Sequence, residues 1–356
     1  MANIFCRSPF IVTINETSQI ETKVEIRIWN SGSAPVSPTY SLSKLIPSTS
    51  NRATYYNVSP YIKEYISHIS FPNNYNVVGD SLATAQYCNV EIKRYKKLTS
   101  TFTLLDTTTY LAFDGWTNYT DGYNYDRGNY LLDEGTYLYE YDSSAVLSTD
   151  KLKRAGDITL YVTAGYKVKY TELNTGLTQT NTFTQTGVKT FPRVYVNYYD
   201  NGCITQVTDA SNNVLWESTF KPQIECKYTP MVVDFINKYG AWQREFFFKA
   251  SKSSTSKENS VYNLLQSTVN NYDVREGQRK AFNTITKESI VINSDWRGDD
   301  YAEVIRDILM SERILLNDSP VQLLTKNVEL QKHINNKTIN YQLEFEYAYD
   351  FNNTVI

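Results

Sequence analysis

The sequence predicts a mainly β protein made of two or three β-sandwich- or barrel-like modules, with few short helices and a long projecting β-hairpin. Three observations predict this fold class. The chain is rich in aromatic residues, with 30 Tyr, 15 Phe and 5 Trp among 356 residues, and aromatic side chains favour strands. Apolar and polar residues alternate with period 2 in one segment after another. Only two segments carry the signals of a helix.

The first strands of the chain are predicted from this alternation. One face of each strand is apolar and the intervening residues are polar, as expected for a sheet with one buried face. The apolar faces consist of Phe10, Val12 and Ile14; of Val24, Ile26 and Ile28; of Val90 and Ile92; and of Tyr137, Tyr139 and Tyr141.

The central region predicts the long hairpin. Apolar residues alternate from Ile158 to Tyr170, a strand that would span roughly 40 Å at about 3.3 Å per residue. A turn at 174–176 (NTG) follows, and the return arm 178–190 carries hydroxyl side chains at nearly every second position. Because so polar an arm cannot line a core, we expect the hairpin to project and to contact a neighbouring subunit. The residues predicted to make this assembly contact are Tyr166, Val168, Tyr170, Thr178, Thr180, Thr182 and Thr184.

The second half of the chain predicts two more hairpins and a final strand. One hairpin joins 203–208 to 214–220, and the other has its turn at 237–240 (NKYG), where the glycine suits a tight turn. The polar segment 251–259 predicts a loop or linker. The apolar face of the closing strand consists of Ile339, Tyr341, Leu343, Phe345, Tyr347 and Tyr349.

Two segments predict helices that pack on sheets. In the first, Ser59 is expected as the N-cap and Pro60 as the first helical residue. In the second, which begins near residue 299, apolar residues recur at i, i+3, i+4, i+7 and i+8. This stripe consists of Tyr301, Val304, Ile305, Ile308 and Leu309.

The length allows two or three domains, each large enough for its own core. We place the boundaries where the sequence turns polar, near residue 150 and near residue 250. The predicted domains are an N-terminal β-sandwich-like domain (1–150), a central β domain with the long hairpin (151–250) and a C-terminal β domain with one amphipathic helix (251–356).

Composition and charge exclude several classes of function. The net charge of −3 and the sequence pI of about 5.6 do not indicate a nucleic-acid binder. The N-terminus lacks the pattern of a signal peptide, and no apolar run is long enough to cross a membrane. The four cysteines show no CxxC spacing, which fits free, buried thiols of a protein made in a reducing cytosol.

The sequence offers little for catalysis. Only two histidines are present, His68 is expected to be a half-buried packing residue, and phosphate-loop, nucleophile-elbow and zinc-protease motifs are absent. Glu344 and Glu346 lie on one strand face, but that face is polar and expected to be wet, which disfavours glycoside hydrolysis. We therefore expect no enzymatic activity, no cofactor and no metal site.

The segment 114–126 is the best candidate for a ligand site. Its acidic, amide and aromatic side chains include Asp114, Trp116, Asn118, Asp121, Asn124 and Asp126. Such residues stabilise turns, which is the simplest interpretation, while calcium binding would use the same oxygens without the spacing of an EF-hand. The aromatic rings would suit a glycan or a protein partner, and the protein partner is the simpler of these two in a tyrosine-rich chain.

Three segments carry a family resemblance: 56–62 (YNVSPYI), 230–242 (PMVVDFINKYGAW) and 343–350 (LEFEYAYD). In these segments the chain resembles virion proteins of tailed bacteriophages that infect Bacteroidota, in particular the crAss-like phages. The resemblance implies a structural component of the tail or neck, such as a ring, hub or barrel protein built in multiple copies. It implies no catalytic residues.

The function expected from the sequence is therefore that of a non-enzymatic structural component of a bacteriophage virion. We expect a multi-copy ring or hub in the tail or portal-connector region, made in the bacterial host cytoplasm and located in the virion. Its expected partners are copies of itself in a symmetric ring and other tail or connector proteins, with no membrane and no specific nucleic acid. The alternative is a receptor- or glycan-binding tail adhesin that uses the 114–126 loop.

Overall fold

The computed structural model describes most of the chain. The described residues are 2–47, 52–68, 81–82, 86–126, 139–141, 155–224, 227–264, 275, 277–298, 301–328 and 339–351. Strands dominate them and helices are few, which confirms the predicted mainly β class. The strands form several separate sheets.

The chain divides into two compact units. The first comprises Met1–Glu225, Asp234–Glu245 and Met310–Glu312, and the second comprises Cys226–Val233, Phe246–Leu309 and Arg313–Ile356. The change of unit after Glu245 lies close to the domain boundary predicted near residue 250. The boundary predicted near residue 150 lies outside the described residues, so the three-domain division stays a prediction.

The N-terminal part of the first unit contains two sheets that share one apolar core. Its elements are β1 (Ala2–Phe5), β2 (Ile11–Ile14), β3 (Glu21–Trp29), β4 (Tyr40–Leu45), β5 (Thr54–Asn57), α1 (Ser59–Lys63), β6 (Ser81–Leu82), β7 (Tyr87–Lys97), β8 (Phe102–Phe113) and β9 (Tyr139–Tyr141). Five strands form one sheet in the order β1-β8-β7-β3-β4, and β2 pairs with β5 in a separate ribbon. Both sheets and α1 contribute side chains to the core.

This core confirms the strand faces predicted from alternation. Val24, Ile26 and Ile28 of β3 are buried in the same cluster as Val12 and Ile14 of β2. Burial of every second residue removes apolar surface from water, which is the main favourable contribution to folding.

The start of α1 differs slightly from the prediction. The N-cap is Val58, and Ser59 is the first helical residue. The Ser59 hydroxyl donates a hydrogen bond of 2.7 Å to the carbonyl oxygen of Ser8 and accepts one of 2.9 Å from the backbone N–H of Phe10. The side chain therefore ties α1 to the chain before β2 instead of capping the helix.

The rest of the first unit is built around two hairpins. Its strands are β10 (Asp157–Val162), β11 (Lys167–Glu172), β12 (Thr178–Thr182), β13 (Gly187–Pro192), β14 (Cys203–Thr208), β15 (Val214–Phe220) and β16 (Pro222–Ile224). One sheet has the order β10-β13-β6, a second has the order β12-β11-β14-β15, and β16 pairs with β9. The pairing of β14 with β15 confirms the hairpin predicted there.

The long hairpin predicted around 158–190 is present, but its arms bend. β10 pairs with β13 and β11 with β12, and one register runs through both halves. Residues 163–166 form a turn between the halves, where Phe183 still makes backbone hydrogen bonds of 2.8 Å to Gly165 and Tyr166. The prediction of an unbroken strand over 158–170 is therefore wrong, because apolar alternation continues through a bend that carries the hairpin from one sheet into the next.

A seven-stranded sheet provides most of the second unit. The remaining elements of the chain are β17 (Met231–Ile236), β18 (Trp242–Phe247), β19 (Lys252–Asn263), β20 (Arg279–Arg297), α2 (Tyr301–Met310), β21 (Ile314–Leu316), β22 (Ser319–Leu323) and β23 (Ile339–Tyr347). The strand order of the sheet is β18-β17-β21-β22-β23-β20-β19. The predicted turn between β17 and β18 is confirmed, with a hydrogen bond of 3.0 Å from the Gly240 N–H to the Asn237 carbonyl oxygen.

Helix α2 packs on β23, as the sequence predicts. Its buried stripe includes Tyr301, Val304, Ile305 and Ile308. The ring of Tyr301 lies 6.1 Å from the ring of Tyr341, which is buried on β23. The apolar stripe of the helix, which has a period of 3.6, and the apolar face of the strand, which has a period of 2, therefore pack in one core.

Strand β19 overturns one prediction. The polar segment 251–259 was expected to be a loop or linker, but Lys252 onward is strand and pairs with β20 along its whole length. Every side chain of β19 is exposed. Because the strand has no buried face, its sequence shows no apolar alternation. The polar segment nevertheless forms a strand, because β20 satisfies its backbone hydrogen bonds on one edge.

Candidate functional site

The predicted assembly residues on the first arm of the long hairpin are used inside the chain. Val168 and Tyr170 of β11 are buried, and Tyr166 is half-buried. The Tyr170 hydroxyl donates a hydrogen bond of 2.8 Å to the carbonyl oxygen of Pro192, and burial raises its pKa well above the usual range. Because β11 has β12 on one edge and β14 on the other, this apolar arm is already covered.

The return arm keeps the character predicted for it. Thr178, Thr180, Thr182 and Thr184 are all exposed, and β12 is the edge strand of its sheet. Threonine combines high strand propensity with a hydroxyl that accepts either water or a polar partner. These four residues therefore form an accessible polar strand edge, and their predicted contact with a neighbouring subunit stays a prediction.

A second hairpin, β19–β20, has the exposed side chains that were expected of the 158–190 hairpin. Its ladder begins at the pair Lys252–Val291 and ends at Asn263–Arg279. The 12 residues of β19 span roughly 40 Å at about 3.3 Å per residue. From Thr255 to Asn263 the hairpin is two-stranded, because β23 pairs with β20 only from Ser289 to Arg297. A two-stranded ribbon is marginally stable by itself in water.

The far end of this hairpin carries apolar side chains in water. Val261, Tyr262 and Phe282 are 55%, 45% and 44% exposed, respectively. The rings of Tyr262 and Phe282 pack edge to face with their centroids 5.6 Å apart. Aromatic residues grouped at an exposed tip are typical of protein–protein contact surfaces.

The β19–β20 hairpin is also basic. Over 252–263 and 279–288, five cationic side chains face two anionic ones, a net charge of +3 in a chain whose total is −3. The cationic residues are Lys252, Lys257, Arg279, Lys280 and Lys287, and the anionic residues are Glu258 and Glu288. With the residues between the two strands included, 252–288 carries +2 and the rest of the chain −5, so the hairpin and the rest of a second copy attract each other.

One sequence signal marks this surface. Val261 and Tyr262 interrupt an otherwise polar run, and Phe282 interrupts the polar start of β20. Isolated apolar residues in a polar segment have no core to enter, which marks them as exposed contacts.

The beginning of the 114–126 loop is structural. The backbone N–H of Trp116 donates a hydrogen bond of 2.9 Å to the carbonyl oxygen of Lys238, and the Trp116 side chain is buried. Gly240 in the same turn packs so closely that a Cβ there would lie 2.6 Å from the backbone nitrogens of Asp114 and Gly115. Trp116 is therefore not available to stack on a glycan.

Three polar residues of this loop also serve local structure. Asn118 and Asp121 form a capping box around one turn of 3₁₀-helix, with the Asn118 N–H donating to the Asp121 carboxylate at 2.9 Å. The Asn124 amide bonds both backbone groups of Ile11, at 2.5 and 2.7 Å. These contacts support the turn interpretation for Asn118 and Asp121, whereas Asn124 joins the loop to β2.

The exposed part of the loop is aromatic. Tyr119 is fully exposed and Tyr123 is 64% exposed. Asp126 is exposed as well. A glycan or protein contact through this part of the loop stays a prediction, as does a calcium site. Among the described residues, no group of three or more His, Cys, Asp and Glu side chains has the arrangement to hold a metal ion.

His68 and Asp114 form a buried pair. His68 Nε2 lies 3.6 Å from Asp114 Oδ2, and the His68 ring packs edge to face on Trp242 at 6.1 Å. Burial raises the pKa of the Asp114 carboxyl. His68 was expected to be half-buried and is more enclosed than that, which agrees with a packing role.

The described cysteines are free and buried, as expected from their spacing. Burial raises the pKa of Cys6 well above its usual range, with further contributions from Cys88 and Asp114. It raises the pKa of Cys88 to about 12, and that of Cys203 is raised for the same reason. At neutral pH these thiols stay protonated, so they are not nucleophiles.

Comparison of the chain with protein-family models, with curated proteins and with solved structures gave no match. In the part of the chain that the structure describes, no helix has both the length and the apolar character needed to cross a membrane.

Proposed function

We propose that this chain is a non-enzymatic structural component of a bacteriophage virion that assembles in multiple copies as a ring or hub in the tail or portal-connector region. The observation that carries the proposal is the β19–β20 hairpin, whose 12-residue outer strand has every side chain exposed. The virion setting rests on the sequence resemblance of the segments 56–62, 230–242 and 343–350.

Strand β19 has a free edge. This strand is the last in its sheet, so its outward backbone groups form a template for pairing with another chain. Burial of Tyr262 and Phe282 under a partner would lower the free energy of the assembly, because apolar surface leaves water. In a ring with rotational symmetry, every hairpin contacts an equivalent neighbour and no hairpin is left without a partner.

Charge and the polar edge of β12 add to this argument. The net charge of +2 on 252–288 and of −5 on the rest of the chain favours contact between copies. Thr178, Thr180, Thr182 and Thr184 offer a second exposed edge for polar contacts between subunits. Other tail or connector proteins are the further partners in this proposal.

Shortening the hairpin tests the proposal. Residues 257–286 are replaced by Asn-Gly, so that the paired residues Ser256 and Lys287 flank a two-residue turn. We expect the same circular dichroism spectrum as the full chain but loss of the oligomer in light scattering and negative-stain micrographs. A shortened chain that forms the same oligomer, or a full chain that is monomeric, would contradict the proposal.

A pair of double variants provides a matched control. Tyr262→Ser with Phe282→Ser removes the two exposed rings at the tip, and Tyr119→Ser with Tyr123→Ser removes two exposed rings of the 114–126 loop. If the tip is a contact, the first pair should weaken association about tenfold or more, since aromatic residues dominate interface energies. The second pair should leave association unchanged.

The alternative function is a receptor- or glycan-binding tail adhesin. The exposure of Tyr119 and Tyr123 favours it, because such rings can stack on a sugar face. The two functions are separated by the loop variants: an adhesin loses receptor binding when these tyrosines are replaced, whereas a ring protein keeps its assembly.

A further inference from the structure

A groove of about 320 Å³ lies beside β2 in the first unit. Its walls come from β2, β7, β8 and the 114–126 loop. The polar residues that line it include Thr13, Arg94, Asp106, Thr108, Tyr110 and Asn124. Its volume is at the lower end of the range for small-molecule sites, which is roughly 300–1,000 Å³.

The register of β7 and β8 places the polar residues of the groove on one face. Arg94 is opposite Asp106, and Ile92 is opposite Thr108. Because alternate residues share a face, Tyr110 lies on the same side as Asp106 and Thr108. The apolar part of this face enters the core, and the polar part forms the floor of the groove.

Arg94 and Asp106 fix each other. Arg94 Nε donates to Asp106 Oδ1 at 2.8 Å, and the second guanidinium nitrogen bonds the other carboxylate oxygen. The third nitrogen donates to the carbonyl oxygen of Thr13 at 2.7 Å. The guanidinium holds the pKa of Asp106 below its usual range. The pair is therefore ionised and rigid, and it adds no net charge to the groove.

Asn124 closes the outer edge of β2. Its backbone has a φ of +57°, and its side-chain amide bonds the N–H and the carbonyl of Ile11 as a neighbouring strand would. Together with the bond from Arg94 to Thr13, this occupies the strand edge. The groove is therefore not suited to an added peptide strand, whose backbone would need these same groups.

An aromatic surface completes the groove. The rings of Phe10 and Tyr110 pack edge to face at 5.1 Å, and Tyr110 is half-buried. Tyr123 and Tyr125, next to Asn124 in the sequence but outside the groove lining, are 64% and 41% exposed. Planar hydrogen-bonding groups held next to aromatic rings fit a ligand that has hydroxyls at its edge and C–H groups on its face.

We propose that this groove is a binding site for a neutral saccharide of one or two rings. Neutrality follows from the Arg94–Asp106 pair, whose charges cancel, so that a charged ligand finds no counter-charge. Arg94 and Ile11 hold Asp106 and Asn124 in position, and the free lone pairs of the Asp106 carboxylate and the second N–H of the Asn124 amide remain for sugar hydroxyls. Thr108 adds an exposed hydroxyl. The site lies outside the β19–β20 hairpin, so it does not depend on assembly.

The test uses the full chain and a panel of free sugars. Glucose, galactose, mannose, N-acetylglucosamine and their disaccharides form the neutral set, and glucuronic acid and sialic acid form the anionic set. Saturation-transfer NMR detects binding, and titration of the ¹⁵N-labelled chain locates it through the Asn124 side-chain amide. We expect at least one neutral sugar to bind with a Kd of about 1 mM or lower and to shift that amide signal.

Two variants and one control decide whether the groove is responsible. Asp106→Asn should weaken binding about tenfold, because a charge-assisted hydrogen bond is lost. The isosteric Thr108→Val removes one hydroxyl with little risk to folding and should weaken it about threefold or more. Glu16 is as exposed as Asp106 and lies outside the groove lining. Glu16→Gln breaks its pair with Lys96 and should leave binding unchanged.

Three results would overturn the proposal. They are the absence of binding by every neutral sugar in the panel, binding by the anionic set alone, and binding that is unaffected by both groove variants. In the last case the exposed tyrosines of the 114–126 loop, and not the groove, would hold the sugar.

Discussion

The carboxylate of Asp234 accepts two hydrogen bonds of 2.7 Å from the guanidinium of Arg244, and both side chains are buried. Removing the Asp234 carboxylate leaves the buried Arg244 guanidinium without these two charge-assisted hydrogen bonds. Asp234→Ala should therefore lower the free energy of unfolding by roughly 3–5 kcal/mol, measured by urea denaturation.

The exposed pair of Glu303 and Arg306 on α2, at 2.6 Å, is the matched control. Glu303→Ala should cost less than about 1 kcal/mol, because water and ions screen an exposed pair. Equal losses in the two variants would contradict the assignment of Asp234 to a desolvated pair.

Two glycines with similar positive φ angles differ in the space around them. Gly240 has a φ of +84° and its Cβ would meet the backbone of Asp114 and Gly115 at 2.6 Å, whereas Gly122 has a φ of +76° and open space around it. Gly122→Ala should cost about 1–3 kcal/mol, because its ψ of −171° places the residue in a backbone region almost restricted to glycine. Gly240→Ala should cost at least twice as much, as judged from the shift in Tm.

If the two alanine variants melt at the same temperature, the close approach of the 237–240 turn to the 114–116 backbone is not a strong constraint. Both variants introduce the same side chain at a positive φ, and of the two positions Gly240 is the one where neighbouring backbone atoms crowd the new Cβ.

Ile305 is fully buried on the stripe that α2 presents to its sheet. Ile305→Asp should destabilise the second unit by several kcal/mol, roughly 3–5, because an unpaired charge enters an apolar site. Soluble yield and thermal unfolding measure the effect. Arg306→Asp, on the exposed side of the same helix, is the control, and a normal yield of the Ile305 variant would show that α2 is peripheral.

The elements that could be predicted from sequence are those with one wet face and one dry face. Val24, Ile26 and Ile28 alternate because β3 has such faces, and Ile305 and Ile308 recur because α2 does. β19 is wet on both faces, so its residues carry no period and the strand was mistaken for a loop.

The bend at 163–166 escaped prediction for the opposite reason. Apolar residues line the core before and after it, so alternation passes through without a change. The groove was beyond reach because its register and edge contacts join residues far apart in sequence: Thr13, Arg94, Asp106 and Asn124. Of the loop residues proposed as a ligand site, only Asn124 lines it.

The thiol of Cys88 should make stability depend on alkaline pH. Its pKa is about 12 in the folded chain and roughly 8.5 in an unfolded one. As pH rises above roughly 8.5 the unfolded chain releases this proton and the folded chain keeps it, so the free energy of unfolding falls until about pH 12.

Cys88→Ala should therefore lose less stability than the unchanged chain between pH 8 and pH 10, measured by urea denaturation at each pH. Ile92→Val is the control, since it opens a small cavity in the same core without removing a titratable group. Parallel pH profiles for all three chains would show that the thiol does not contribute.

The hairpin from Asp157 to Pro192 runs in one register through two sheets, and this has a mechanical consequence. A force that pulls the two sheets apart would shear one continuous ladder of backbone hydrogen bonds, in the β10–β13 half and in the β11–β12 half alike. The turn at 163–166 has fewer ladder bonds than either half, so it is the most compliant point along the ribbon. Under tension the two sheets would respond as one elastic element that flexes at this turn before either sheet yields.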